Sequence, residues 1–486
     1  MTSYNSLTRP MSYDSDRIRQ VFGNLCIDKT RLPSSGLTAA GVPSFVAEWL
    51  LDKIVPGNGA LQQFEAEKIN NFVSKAFPRK DDKNVILFKL TQGEVYKLIA
   101  LLKVRVKLAA NKGIIPDPMA SIPVLNIHNC AIPISIVEQH EMLLRQGLWG
   151  KISLSLRSDG TPEIVDFDPF QCSAVDLSAY ERARAQLTTD EWRDLMLCSM
   201  GYNPAHPRYT CNAKMWMLAR LLPLVESNYH VMELAPKGTG KSYVYENVSN
   251  KVALVSGGKV TPSQLFINGS TKEIGLLGRH DVVVLDEIQS LTFEDPDEII
   301  GPLKNYLASG RYNRAGFADI ASDCSLVMLG NIELDAQLQP RNANNLLADL
   351  PSFLMETAFL DRFSGIIPGW EIPKFSREMA ASQVGLKMDF FGEALLSLRR
   401  DNRYLTYAQQ HTKFDYTSTV RDQNSILKSA SGFLKILYPH LELTVADYER
   451  DCLFPALRLR HLIRNVLYRL DSEFESLGQS ITVEVI

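Results

Sequence analysis

Between Tyr229 and Ser249 the chain reads YHVMELAPKGTGKSYVYENVS: a short apolar run, a glycine loop and the opening of a helix. No other stretch constrains the fold as tightly. In such a loop successive backbone N–H groups, here those from Lys237 to Ser242, can close around a phosphate. This works where a strand feeds a helix N-terminus, whose dipole favours negative charge. Lys237, Gly238, Thr239, Gly240, Lys241, Ser242 and Tyr243 are the residues expected to line a nucleotide. Lys241 would reach its β- and γ-phosphates, and the Ser242 hydroxyl would meet Mg²⁺. ATP and Mg²⁺ are the expected ligands. The usual first glycine of the motif is Ala235 here, which asks for a permissive backbone and leaves the cradle intact. At ordinary residue frequencies a match of this kind arises by chance roughly 0.04 times in a chain of this length.

The rest of the 228–370 segment supplies what such a loop needs. RHDVVVLDEIQS carries four aliphatic residues into Asp286 and Glu287, 45 residues after Lys241. A buried parallel strand ending in two acids puts them at the edge where open α/β sheets bind ligands. Asp286 is expected to hold Mg²⁺ and Glu287 to polarise the attacking water, the Walker B arrangement. SDCSLVMLGNIE reads as another buried strand, ending at Asn331, the place of the γ-phosphate sensor of AAA+ ATPases. In METAFLDRFSGIIPGW, Arg362 follows a short helical stretch. It is the candidate arginine finger, offered to a neighbouring subunit's γ-phosphate to stabilise transition-state charge. A second sensor is expected in PALRLRHLIRNVL, among Arg458, Arg460 and Arg464, with Arg460 preferred.

Between Walker B and Asn331 lies EDPDEIIGPLKNYLASGRYNRAG. Asp295 with Glu298 reads as a capping box, Pro296 as the first helical residue and Gly310 as the stop. Arg311 and Arg314 in the following turn are candidate DNA contacts, spaced to meet a phosphate backbone, and Lys259 in VSGGKVTPSQLF is a third.

Outside this core we assign 1–35 as a flexible tail and 36–175 as a mixed α+β N-terminal domain of DNA-binding type. Residues 176–227 read as a helical linker, 228–370 as the α/β core and 371–486 as a helical lid with a C-terminal segment. In 36–175 a helix is expected before Ile54. Short strands in IPVLNIH, WGKISLSLRS and TPEIVDFDP, broken by Ser158-Asp159-Gly160, suggest a small β-rich, OB-like module. Thr188 or Thr189 should cap a helix that opens with Asp190 and Glu191. A net charge of −3 argues against coating nucleic acid by bulk charge, though not against a basic channel. The cysteines form no CxxC pair, and His128 with Cys130 lacks a second metal-ligand pair. No run of about 18 apolar residues is present and the N-terminus has no secretory pattern, so a cytoplasmic protein is expected.

The segments KGTGKS, ALVSGGKVTPSQLF, IGLLGRHDVVVLDEI, LKNYLASGRYNRAG, LVMLGNI and AFLDRFSGIIPGW together resemble the BrxL family, the Lon-related AAA+ proteins of bacterial BREX phage defence. VPSFVAEWLLDKI and LTTDEWRDLMLCSMGYNP resemble it too, so the likeness covers roughly 40–470. It implies a homohexameric ring ATPase, with hexamers that can pair, acting on double-stranded DNA beside other BREX proteins. The family's functional residues map onto Lys241, Ser242, Asp286, Glu287, Asn331 and Arg362. The chain as given ends at Ile486, after DSEFESLGQSITVEVI, so no Lon-type protease domain, and no proteolysis, is expected. SITVEVI reads as an edge strand. Two alternatives belong to other classes. One is a protein remodeller gripping its substrate through Tyr312 or Phe266. The other is a nucleotide-gated scaffold, which would not need Glu287.

Overall fold

The computed structural model describes residues 13–486 apart from 39–41, 107–117, 145–146, 171–174, 270–272, 295, 314–318, 343–345 and 349. The chain divides into two compact units. One comprises 30–174 together with 246–253, and the other comprises the stretch ending at Lys29, 175–245 and 254–486.

The first unit is built on a closed five-stranded barrel. Its strands are Tyr96–Arg105, Met119–Ile122, Ile127–Ala131, Leu148–Leu156 and Pro162–Pro169. Numbered in that order they run 1-2-3-5-4 around the barrel. The third and fifth meet in parallel, Ala131 opposite Glu163, and all other neighbours are antiparallel. Alternate residues point inward, so Leu98, Ala100, Leu102 and Val104 pack with Ile122, Cys130, Ile152, Leu154 and Ile164. Helix Ile134–Gln139 follows the third strand. The last two strands join through Ser158-Asp159-Gly160, where Gly160 takes φ +83° and the Asp159 carboxylate accepts from the Thr161 N–H at 2.8 Å. Beside the barrel, helix Ser44–Ile54 buries Val46 and Leu50 completely and stacks Trp49 on Phe170 at 4.2 Å. The inserted stretch 246–253 is bonded into the same unit. Asn247 Oδ1 accepts from both the N–H and the hydroxyl of Ser44 (3.0 and 2.6 Å), and Asn250 Nδ2 donates to the Gly147 carbonyl at 3.1 Å.

The second unit holds a five-stranded sheet in the order Gly365–Pro368, Val231–Ala235, Ser325–Asn331, Val282–Asp286, Val252–Ser256. In chain order this is 5-1-4-3-2, and the first four strands run parallel. Every residue of Val231–Ala235 and Val282–Asp286 is buried, as a parallel sheet covered on both faces requires. Local signals set the helices. Thr188 and Glu191 form a capping box at the start of Thr189–Ser199. Helix Pro296–Ser309 opens on its proline and stops at Gly310, φ +67°, while the expected capping residue Asp295 lies outside the described residues. Helices Met388–Ser397, Arg403–Gln410, Val420–Leu437 and Phe454–Leu470 follow the sheet, the last entered through a π-helical turn at Glu449–Leu453. Wide turns of that kind often mark functional positions.

One expectation needs correction. Residues 13–35 are not a loose tail. Asp14 caps helix Ser15–Phe22, and Cys26–Asp28 pairs antiparallel with Val384–Leu386. The strand is only three residues long and its partner is remote, so no local apolar pattern announces it. The C-terminal edge strand, Val483–Val485, pairs with Thr412–Phe414 of the same chain. Among the described residues no helix is long and apolar enough to cross a membrane.

Candidate nucleotide site

The buried strand Val231–Ala235 delivers the chain to the glycine loop. Gly238 and Gly240 take φ of +87° and +74°, angles at which any other residue would be strained. A Cβ on Gly240 would also sit 2.8 Å from the Tyr202 hydroxyl, which donates to the Gly240 carbonyl at 3.3 Å. Beneath the loop, Arg220 and Glu233 form a wholly buried ion pair at 2.7 Å. Arg220 also donates to the Thr239 carbonyl at 3.3 Å, so the pair braces the loop from below. The sequence reading missed both Tyr202 and Arg220, because each acts on the loop from outside its motif.

The parallel register brings the chemistry together. Asn331 stands opposite Ala235, and Val282–Asp286 is the next strand over, so three strands end at one edge. There Lys241 Nζ donates to Asn331 Oδ1 at 2.6 Å, and Ser242 Oγ donates to Asp286 Oδ2 at 2.5 Å. Lys241 is 7 % exposed. Burial lowers its pKa, with the charges of Glu233 and Asp286 opposing the shift. Its ammonium therefore sits where an anionic phosphate would be a stronger partner than a neutral amide. A hydroxyl and a carboxylate in direct contact are the hard oxygen donors that Mg²⁺ prefers, so these residues fit the ion.

Glu287 is exposed and lies at φ +52°. Its N–H is tied to Asp286 Oδ1 at 2.8 Å. A left-handed non-glycine residue costs on the order of 1–3 kcal/mol, and such strain clusters at active sites. It falls here on the residue expected to act on water. The Glu287 carboxylate lies against Gly257, where an added Cβ would be 3.4 Å from Oε2.

Arg362 is not part of this cluster. It follows helix Thr357–Leu360, bonds the Ala358 carbonyl, and leaves its buried Nε without a partner among the described residues. Burial lowers its pKa, helped by the neighbouring Arg421.

The sensor preference for Arg460 is overturned. That side chain is fully buried and all its nitrogens are engaged. Nε meets Asp422 at 2.7 Å, Nη1 meets the carbonyls of Asp361 and Phe363 at 3.1 and 2.6 Å, and Nη2 meets the Asp361 carboxylate. Arg464 is equally buried, against Asp422. Only Arg458 of the three keeps its head group in reach of solvent. It pairs with Glu371 and lies 5.4 Å over the Trp216 ring. Glu371 ends the turn Gly369–Glu371, which packs on the loop strand so closely that a Cβ on Gly369 would meet the Ala235 Cβ at 2.5 Å.

Family profiles agree with this site. The profile described as "Lon-like protease BrxL-like, ATPase domain" matches residues 163–480, and "BREX system Lon protease-like protein BrxL N-terminal" matches 20–156. The chain belongs to the BrxL family. Two relatives named "Lon-like protease BrxL" are each 31 % identical to it. The one from Escherichia coli O9:H4 (strain HS) aligns over 437 residues, 89 % of this chain and 61 % of its own length. The one from Bacillus cereus (strain H3081.97) aligns over 417 residues, 84 % and 60 %. This chain thus spans about three-fifths of the BrxL relatives it matches. An uncharacterized protein, ORF426 of Acidianus filamentous virus 1, is 26 % identical over 166 residues, 30 % of this chain and 39 % of its own. The mixed α/β architecture with a BrxL ATPase domain is consistent with an AAA+ fold and with ATP use.

The remaining BrxL candidates lie elsewhere. Lys259 is exposed, with an ion pair to Glu294 at 2.9 Å. Arg311 is exposed at the start of a short hairpin, Arg311–Tyr312 against Ile320–Ala321, and Arg314 lies outside the described residues. Tyr312 and Phe266 are both buried, packed on one another at 5.4 Å. They form core rather than a grip for polypeptide.

Proposed function

We propose that the protein is an AAA+ ATP hydrolase that assembles as a homohexameric ring around double-stranded DNA and moves along it in BREX-type antiphage defence. The observation that carries this reading is the meeting of Lys241, Asn331, Ser242 and Asp286 at the ends of three adjacent strands. Each bond there joins groups that a triphosphate would separate. Lys241 would leave Asn331 for the β- and γ-phosphates, and the freed amide would orient the attacking water. Glu287 would take that water's proton. Ser242 and Asp286 would hold Mg²⁺, which neutralises charge on the phosphates when bound. Arg362, with a donor unspent, would serve the neighbouring subunit's site. Arg458 replaces Arg460 as the candidate second sensor, and the helices between Met388 and Leu470 are read as the lid. The barrel's 1-2-3-5-4 order, with a helix after the third strand, supports an OB-like module, a type that often binds nucleic acid. Arg311, Arg314 and Lys259 remain the candidate DNA contacts. Paired hexamers and partner BREX proteins rest on the family reading alone, and a cytoplasmic setting rests on the cysteine pattern and the sequence reading above.

The test is steady-state ATP hydrolysis with and without long double-stranded DNA, with Lys241→Ala as the blank. Marked stimulation by DNA supports the reading. Hydrolysis indifferent to DNA but raised by an unfolded protein would replace it with a remodeller, a reading against which the burial of Tyr312 and Phe266 already counts. No hydrolysis under any condition would favour a nucleotide-gated scaffold.

A further inference from the structure

Arg460 is more than a buried charge. Its Nη1 bonds the carbonyls of Asp361 and Phe363, the residues on either side of Arg362. Its Nη2 takes the Asp361 carboxylate, whose other oxygen accepts from Arg421 at 2.6 Å. One planar guanidinium therefore grips the backbone before and after Arg362 and the side chain next to it. Arg460 is fixed in turn. Its Nε is bonded to Asp422, which is wholly buried, accepts from Arg464, and closes the capping box of helix Val420–Leu437 through Thr419. Two helices of the C-terminal segment thus converge on the turn that presents Arg362, and just beyond that turn the chain enters the central sheet at Gly365.

Burying four charged groups, Arg460, Arg464, Asp361 and Asp422, so close together is not the cheapest way to stabilise a turn. Apolar residues of similar volume often do as well or better, and buried ionic networks are most useful where they fix one geometry. A fork of donors meeting four oxygens fixes geometry in a way that a lysine cannot. Among the described residues nothing bonds the buried Nε of Arg362 itself.

We propose that Arg460, anchored by Asp422, is a positioning residue for Arg362, so that its loss slows hydrolysis at the neighbouring subunit's nucleotide site and spares the site of its own subunit. The proposal rests on the ring reading above, in which Arg362 acts across the subunit boundary.

The test is complementation between differently tagged subunits, co-expressed and purified through both tags. Arg460→Lys alone should lose about 10²-fold in kcat, the scale of a misplaced catalytic group, with the KM for ATP within about twofold of wild type. Lys241→Ala alone should be inactive. In rings containing both, about a quarter of the interfaces of a random mixture join an intact site to an intact Arg362. Activity should therefore rise to about a quarter of wild type, about 25-fold above Arg460→Lys alone. Asp361→Asn, which keeps side-chain size, should behave in the same way and carries the test if Arg460→Lys does not fold. The control pair is Arg362→Ala with Lys241→Ala. If the control complements and the Arg460 and Asp361 variants do not, the positioning role is wrong and the ring reading stands. If the control fails, or no doubly tagged species is recovered, the ring reading falls and the proposal falls with it. Wild-type hydrolysis by Arg460→Lys would also overturn the proposal.

Discussion

Two of the buried charge clusters in the ATPase unit differ in how their bonds are spent. At the loop, Lys241 has one amide partner and Ser242 has one carboxylate partner. Each bond is the kind a phosphate or a cation would replace. Every nitrogen of Arg460 itself is committed, and Asp422 is held by two guanidiniums and its own helix cap. Each cluster sets cationic side chains against acids, the residue types from which catalytic sites are built. The difference in spare bonding capacity separates a site from a joint, and burial alone does not.

That contrast can be attacked from both sides. The largest expected effect is at the site. Glu287→Gln should cut ATP hydrolysis by about 10³-fold, the scale of a lost general base, with nucleotide binding retained and the melting temperature within a few degrees of wild type. A matching loss of stability would mean that Glu287 belongs to the scaffold. At the joint the order should reverse. Asp422→Ala leaves two buried guanidiniums without their carboxylate and should cost about 3–5 kcal/mol in urea denaturation. A change under about 1 kcal/mol would show that the cluster is solvated or easily repacked.

A finer probe is acid. Burial by itself would raise the Asp422 carboxyl, but Arg460, the Thr419 backbone bond and Arg464 outweigh it and hold the group below the usual range. A carboxylate depressed in the folded state gives stability that is fully present above its unfolded pKa, about 3.9. That stability is lost as pH falls through the lower folded value. Asp422→Asn should flatten the part of the stability–pH curve below about pH 4, and an unchanged acid limb would remove Asp422 from the account. The smallest effect on stability should come from Lys241→Met. With its methylenes replaced and a lightly bonded charge removed, unfolding free energy should stay within about 1 kcal/mol of wild type, while hydrolysis disappears.

The sequence revealed the site far better than the joint. KGTGKS, VVVLDE and LVMLGN each place their chemistry within one strand and its following turn, so a short window contains the reason for the fold and the reactive group together. The last two barrel strands were legible for the same reason, through alternation and the Asp159-Gly160 turn, whereas Tyr96–Arg105 was not assigned to the barrel. Arg460 was not. Helix Phe454–Leu470 presents Arg458, Arg460, Arg464 and Arg469 within a few turns, and periodicity cannot say which of them meets an acid. The deciding acids are 38 and 99 residues away. Arg220, whose partner Glu233 lies inside the P-loop strand, was hidden in the same manner.

The short strand Cys26–Asp28 has a consequence in time. Its register partner, Val384–Leu386, is encoded about 350 residues later. At a synthesis rate of about 5–20 residues per second, roughly 20–70 s pass before that partner leaves the ribosome. Throughout that interval the strand lacks the partner it has in the fold, so this early-made part of the ATPase unit must wait for chain made long after the nucleotide loop.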